Sequence, residues 1–159
     1  MQENSYIQIL IQSLQKKITA LDNIIVKNQE QYEILSAEEA DMDAFEKNVT
    51  EKSQYVDEII FLDDGFEEIY GRVKEELDEN KAAHAGEIKQ MKELISMITE
   101  RSMKVQAQEQ RNKDLAAQQF SKARKKIRQV KNGRQIANQY YQSMQQINVV
   151  DPQFMDKKK

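Results

Sequence analysis

The residues of this chain that could do chemistry are few, and none of them stands in a catalytic arrangement. His84 is the only histidine, and it lies in an alanine-rich segment without a nucleophile or carboxylate at helical spacing around it. Ser13 and Lys16 match the S-x-x-K spacing of an acylating serine, but no accompanying motif follows. The sequence offers no Glu-x-x-His pair for a di-iron site and no glycine-rich phosphate loop. We therefore expect no enzymatic activity, no metal and no cofactor, and we interpret His84 as a solvated surface histidine.

Composition narrows the class of protein. Of 159 residues, 39% are hydrophobic and 32% are charged, and there are one proline and four glycines, which is too polar for a conventional globular core. The absence of cysteine excludes a disulfide framework and suits a reducing compartment. Apolar runs are far shorter than a membrane span, and the first residues lack the pattern of a signal peptide. We expect a cytoplasmic protein made of elongated helices.

Three stretches of the chain repeat apolar residues at alternating intervals of three and four. In an α-helix this spacing places the side chains on one face, which another helix must cover. The first stripe runs from Ile7 through Asn28 to Leu35, with Lys17 on the solvated side. The sequence predicts helices over about 4–36, 41–79 and 87–132.

Short connections between long helices favour antiparallel neighbours. We predict an all-α fold: an elongated antiparallel bundle of three long helices over 1–133, then a short amphipathic helix and basic tail over 134–159. Ser36 and Glu39 have the spacing of a capping box at the first reversal. Gly65 interrupts the second stripe, yet the stripe resumes at Phe66 in the same phase, so we expect one continuous helix there.

Charge is distributed unevenly along the chain. Residues 36–80 carry sixteen acidic and four basic side chains, whereas 101–134 carry eleven basic and two acidic ones. If the second and third helices lie side by side, the acidic start of one faces the basic second half of the other, which favours that register. The same counts also fit the alternative that the acidic and basic faces both lie in solvent and do not pair with each other. The basic amphipathic stretch 122–131 fits an acidic protein groove, an acidic membrane or nucleic acid, although a net charge of −3 argues against general nucleic-acid affinity.

Polar residues also occupy positions of the stripes where apolar ones are due. A buried amide or charge is tolerated when it is hydrogen-bonded, and it can fix helix register. The pattern therefore indicates either a layer of polar groups that bond one another or a notch for a partner. The residues concerned are Asn28, Gln106, Gln108, Glu109, Arg111 and Asn112.

A last apolar stripe follows Gly133, on a piece of at most four turns that the three predicted helices leave uncovered. Such a short helix is marginal in water, so it either folds against a partner or docks back on its own bundle. Methionine and tyrosine suit adaptable contact surfaces. The stripe consists of Ile136, Ala137, Tyr140, Tyr141, Met144 and Ile147.

Several segments together resemble the FlgN-type flagellar export chaperones. The resemblance covers the whole chain as a pattern of helix lengths and reversals. The segments that carry it are 20–24 (ALDNI), 31–35 (QYEIL), Phe45 to Lys52, 108–112 (QEQRN) and the final 156–159 (DKKK).

This resemblance implies a cytoplasmic chaperone that binds the terminal helices of hook-associated, hook–filament junction proteins, prevents their premature assembly and delivers them to the flagellar type III export gate. It implies partners in those export substrates and in the cytoplasmic domain of the gate, contact with the membrane only indirectly, and no nucleic acid. The residues that would bind partners are Phe120, Ile127, Val130, Ile136, Tyr140, Tyr141, Met144 and Ile147, with Tyr140 or Tyr141 as the aromatic that docks at the gate.

Two other functions fit the same pattern. The related FliT-type chaperone, which serves the filament-cap protein, has a similar helical plan. A structural coiled coil that self-assembles without cargo also fits. Each of these functions is compatible with a homo-oligomer.

Overall fold

A computed structural model describes residues 2–126 and 136–142 of the chain, with side chains from residue 5 onward. The described ranges contain three long helices: α1 (Gln2–Leu35), α2 (Met42–Glu79) and α3 (Ala85–Lys126). Residues 136–142 are also helical, and the described ranges contain no strand. The all-α prediction is confirmed. None of the helices in these ranges combines the length and apolar character needed to cross a membrane.

The first reversal occupies residues 36–41, and its cap differs from the predicted one. The Asp41 carboxylate accepts hydrogen bonds from the backbone N–H groups of Asp43 and Ala44, each at 3.1 Å. This satisfies two of the N–H groups that a helix start leaves free. The reversal lies between the first two helices where it was predicted, but Ser36 and Glu39 do not form its cap, because α2 begins only at Met42 and Glu39 lies outside its first turn.

The second reversal joins α2 to α3 through residues 80–84. Asn80 ends α2, with its N–H bonded to the Glu76 carbonyl at 2.9 Å. His84 is not solvated as expected: only 8% of its surface is exposed, and its Nε2 lies 3.1 Å from Glu76 Oε2. The sequence pattern missed this contact because a turn, and not helical spacing, brings the two residues together. Gly86 lies in the first turn of α3.

Helix α2 continues through Gly65, as the unbroken phase of its stripe predicts. A Cβ atom built on Gly65 would meet no atom within 4 Å. The glycine is therefore not required there by a close approach of another element.

Hydrogen bonds fix the direction of each helix relative to α1. Lys17 of α1 pairs with Asp63 of α2, and Lys27 of α1 pairs with Glu51 of α2. Residue numbers therefore fall along α2 as they rise along α1, so the two helices are antiparallel. Asp22 pairs with Arg101, and the Leu35 carbonyl accepts from Gln119, so α1 and α3 run in the same direction.

Within the described ranges, the close backbone contacts of α2 and of α3 are with α1 and not with each other. The expectation that the second and third helices lie directly side by side is corrected accordingly: they meet through side chains. The ion pair that joins them, Lys52 to Glu109, also has the opposite polarity to the predicted acidic-to-basic match. The acidic Asp63 and Glu51 of α2 instead pair with lysines of α1.

The buried side chains form two apolar clusters. The larger cluster contains residues of α1 from Ile7 to Ile24, of α2 from Val56 to Leu77 and of α3 from Met91 to Val105. Lys17, expected to be solvated, is 1% exposed beside it, because Asp63 of α2 lies 3.0 Å from its ammonium group. The smaller one, which we call the distal cluster, contains Leu35, Phe45, Val49, Ala116, Ile136 and Tyr140.

Candidate helix-binding groove and the polar layer beneath it

A layer of buried polar side chains separates the two apolar clusters. Its members are at most 8% exposed. Of the two interpretations of these positions, a layer of polar groups that bond one another is the one that Asn28, Gln108, Glu109 and Asn112 follow. Gln106 and Arg111 are exposed instead. The full layer contains Asn28, Gln31, Asn48, Lys52, Gln108, Glu109 and Asn112.

The amides of the layer bond one another across all three helices. The Asn112 side chain donates to the backbone carbonyl of Asn28 at 2.9 Å and to Gln31 Oε1 at 3.0 Å. Gln31 in turn donates to Asn48 Oδ1 at 2.9 Å, and Asn28 donates to Gln108 Oε1 at 3.3 Å. Because each buried amide has partners, the layer avoids the cost of unsatisfied polar groups and admits only one register of the helices.

An ion pair lies at the α2–α3 side of this layer. Lys52 Nζ is 2.7 Å from Glu109 Oε1 and 3.2 Å from Asn28 Oδ1, and the two charged side chains are 0% and 5% exposed. Burial lowers the pKa of Lys52, while the Glu109 carboxylate acts in the other direction. Among the described residues, the second carboxylate oxygen of Glu109 has no hydrogen-bond partner. Such a pair is costly to break, since a charge left alone would remain buried.

Tyr140 covers the ion pair from the helical segment 136–142. Its hydroxyl donates to the Glu109 backbone carbonyl at 2.8 Å, and its ring centroid is 4.9 Å from Lys52 Nζ. The ring also lies 6.0 Å from that of Phe45, which is itself 6.0 Å from Phe120. The side chain is 1% exposed, and burial together with the nearby Glu109 charge raises the pKa of Tyr140.

The segment 136–142 therefore lies between side chains of α2 and α3, in a space that we call the distal groove. Phe45 and Lys52 line it on α2, and Glu109 and Ala116 line it on α3. Leu35 of α1 belongs to the same cluster. Among the described residues, α2 and α3 make no close backbone contact with each other, and side chains of the segment lie between them.

The predicted partner-binding residues differ in how deeply they are buried. Ile136 is 6% exposed and Tyr140 is 1% exposed, so both are buried on the chain's own helices. Of the two interpretations of the last stripe, docking back on the bundle is the one that these residues follow. Phe120 is half-buried against the distal cluster, and Tyr141 is 39% exposed, with Lys113 Nζ 5.6 Å from its ring centroid. The remaining predictions, Ile127, Val130, Met144 and Ile147, lie outside the described residues.

Sequence reasoning missed the residues that line the distal groove opposite Tyr140. Phe45 and Lys52 lie within the second predicted helix, 41–79, but nothing in the pattern indicates that the last segment packs on them. The signal that could have found Lys52 is its charge at an apolar position, which predicts a buried acidic partner. At the exposed end of α3, Lys122, Arg124 and Lys125 remain accessible as the basic stretch requires.

Comparison of this chain with protein-family models, with curated proteins and with solved structures gives no match. In the described ranges, no three histidine or acidic side chains are grouped to hold a metal ion. The interpretation of the site therefore depends on its geometry: an apolar groove that accepts one face of a helix, above a buried polar layer.

Proposed function

We propose that this protein is a cytoplasmic export chaperone that holds the terminal helices of flagellar hook-associated proteins and delivers them to the export gate. The observation that carries the proposal is the distal groove. The chain's own segment 136–142 buries Ile136 and Tyr140 in it, so the groove has the shape and chemistry to take the apolar face of a helix. Helix-in-groove binding is a common mode of peptide recognition.

The proposed architecture is an elongated bundle of three long helices that presents this groove at one end. The helices α1, α2 and α3 have 34, 38 and 42 residues. The polar layer stabilises one register of the bundle, and the distal cluster beyond it contains few apolar residues of its own. Two of its six buried members, Ile136 and Tyr140, come from the last segment. That end of the molecule is therefore suited to exchange of a helix.

In the proposed mechanism, a cargo helix replaces the segment 136–142 in the groove. The apolar face of the cargo, which would otherwise associate with other copies, becomes covered by Phe45, Val49 and Phe120. The basic end of α3, with Lys122, Arg124 and Lys125 exposed, attracts acidic flanks of the cargo. The chain's own segment opposes binding, and the resulting moderate affinity suits release at the gate.

This mechanism needs no catalytic step. The cargo helix and the chain's own segment make non-covalent contacts of the same kind, with aromatic and aliphatic side chains above the polar layer. No group reacts, and the same groove serves binding and release.

A variant of Phe120 tests the proposal. Phe120 is half-buried at the edge of the groove, so Phe120→Ala should preserve the helical circular dichroism and yet weaken binding of a hook-associated protein about tenfold or more. The matched control is Phe61→Ala, because Phe61 is 77% exposed on α2 and is not part of the distal cluster. Isothermal titration of each variant measures the affinity.

The same titration separates the alternative functions. Affinity that is unchanged by Phe120→Ala removes the groove as the cargo site. A chain that binds the filament-cap protein in preference to hook-associated proteins is a FliT-type chaperone. A chain that binds neither and forms large assemblies alone is a structural coiled coil.

A further inference from the structure

We propose that the distal groove contains a tyrosine-selective pocket, and that the partner helix it takes carries an aliphatic residue followed four positions later by a tyrosine. The inference deepens the proposed function and rests on it, because it names the chemistry of the helix that enters the groove. It comes from the contacts that the chain's own Ile136 and Tyr140 make.

The pocket has one partner for each part of a tyrosine side chain. The ammonium group of Lys52 lies 4.9 Å from the ring centroid, a cation–π contact. The Phe45 ring lies beside the tyrosine ring at 6.0 Å. The Glu109 carbonyl accepts the hydroxyl hydrogen at 2.8 Å. These contacts leave 1% of the Tyr140 surface exposed.

Two of these contacts select an aromatic ring, and the third selects its hydroxyl group. A phenylalanine would keep the contacts with Lys52 and Phe45 but would lose the hydrogen bond to the Glu109 carbonyl. An aliphatic side chain would lose the cation–π contact as well and would fill the space poorly. Because Glu109 lies within α3, its carbonyl keeps its helical hydrogen bond in either case. A phenylalanine is therefore disfavoured by the loss of one hydrogen bond, and an aliphatic side chain by the loss of the ring contacts as well.

The second anchor is the position occupied by Ile136. Residues four apart lie on the same face of a helix. Ile136 is 6% exposed within the same cluster as Tyr140, whereas the next residue, Tyr141, is 39% exposed. The groove therefore recognises a pair of anchors one turn apart, and the neighbouring positions are free to vary.

Emptying the pocket in the full-length chain gives the test. The variant is Tyr140→Ala, and the probes are three synthetic peptides with the sequence of residues 134–148: the native peptide and versions with Phe or Ala at position 140. The native peptide should bind this variant about tenfold more tightly than the Ala version and about fivefold more tightly than the Phe version. Fluorescence anisotropy of labelled peptides measures the affinities.

The control variant is Tyr141→Ala, which keeps the chain's own tyrosine in the pocket. It should bind the native peptide as weakly as the unmodified chain does, since Tyr140 competes for the same place. Equal affinity of the Tyr140→Ala chain for all three peptides, or no binding of any of them, overturns the inference. If Tyr140→Ala lowers the helix content, the native peptide should restore it and the Ala version should not; equal restoration overturns the inference as well.

Failure of the pocket and failure of the proposed function give different results. Discrimination among the three peptides without any affinity for hook-associated proteins supports the pocket and rejects the export function. Affinity for a hook-associated protein that is unaffected when the tyrosines in its terminal helices are replaced by phenylalanine supports the function and overturns the tyrosine-selective pocket.

Discussion

At the scale of single residues, the charged pair Lys52–Glu109 joins α2 to α3 and contacts Tyr140 of the segment 136–142. Both side chains are buried, and Glu109 also supplies the carbonyl that binds the Tyr140 hydroxyl. The polar character of these positions could be read from the sequence, because charges interrupted an apolar stripe. Their pairing could not, since residues 57 positions apart in the chain meet only after the helices pack.

We predict that Lys52→Met lowers the free energy of unfolding by about 3–5 kcal/mol, because Glu109 would remain as a buried charge without its partner. The double variant Lys52→Met, Glu109→Leu should recover most of this loss, since two apolar side chains of similar volume replace the pair. Urea unfolding followed by circular dichroism measures both. If the double variant loses as much free energy of unfolding as the two single variants lose together, the broken ion pair is not the reason for the loss in Lys52→Met.

The second residue-scale prediction concerns alkaline pH. Burial raises the pKa of Tyr140 above that of an unfolded tyrosine, which is about 10. Below pH 10 both states hold the proton and stability is unaffected; above it, only the unfolded chain loses the proton, so the free energy of unfolding falls as pH rises. The expected slope from this residue approaches about 1.4 kcal/mol per pH unit.

Tyr140→Phe is the matched control for this pH dependence. It fills the pocket but has no hydroxyl, so it should lose about 1 kcal/mol at pH 8 and then decline less steeply between pH 10 and 11. Urea unfolding of both proteins at several pH values makes the comparison. Parallel declines would mean that Tyr140 ionises as readily in the folded chain as in the unfolded one.

At the scale of elements, the sequence predicted well where helices lie and less well how they begin. The alternation of three and four residues identified the three helical regions, because burial of one face imposes it. The connections depend on local hydrogen bonds that several residues could supply. At the first reversal the spacing of Ser36 and Glu39 indicated a capping box, whereas the carboxylate of Asp41 is the group that meets free N–H groups.

The cap gives the element-scale prediction. Asp41→Ala should lower the free energy of unfolding by about 1 kcal/mol, the usual worth of an N-cap side chain. Ser36→Ala should change it by less than about 0.5 kcal/mol, because Ser36 is exposed in the connection and caps nothing. Thermal unfolding of the two variants decides between Asp41 and the capping box. A larger loss for Ser36→Ala than for Asp41→Ala would restore the box.

At the scale of the whole molecule, the limit of sequence reasoning was the fate of the last apolar stripe. Its periodicity was plain, and both a partner and the chain's own bundle could cover it. The choice depends on the space that α2 and α3 leave between them, which no local pattern encodes. Because that space already holds Ile136 and Tyr140, a partner helix has to exchange with them instead of adding to a free surface.

This exchange is the central claim, and a reversible lock tests it most directly. The chain has no cysteine, and the side-chain ends of Lys113 and Tyr141 are near each other, with Lys113 Nζ 5.6 Å from the Tyr141 ring centroid. Cysteines at these two positions, Lys113→Cys and Tyr141→Cys, can therefore be joined by a bis-maleimide cross-linker whose spacer contains a disulfide bond, which ties the segment 136–142 to α3 until it is reduced. Each single-cysteine variant is the control for the substitution itself.

The measurement is the affinity of the doubly substituted chain for a hook-associated protein before and after reduction, by isothermal titration. We expect the cross-linked protein to bind at least about tenfold more weakly than the same protein after reduction, because the locked segment keeps the groove filled. Equal affinities of the cross-linked and reduced protein would contradict the account, since cargo would then bind without displacing Tyr140.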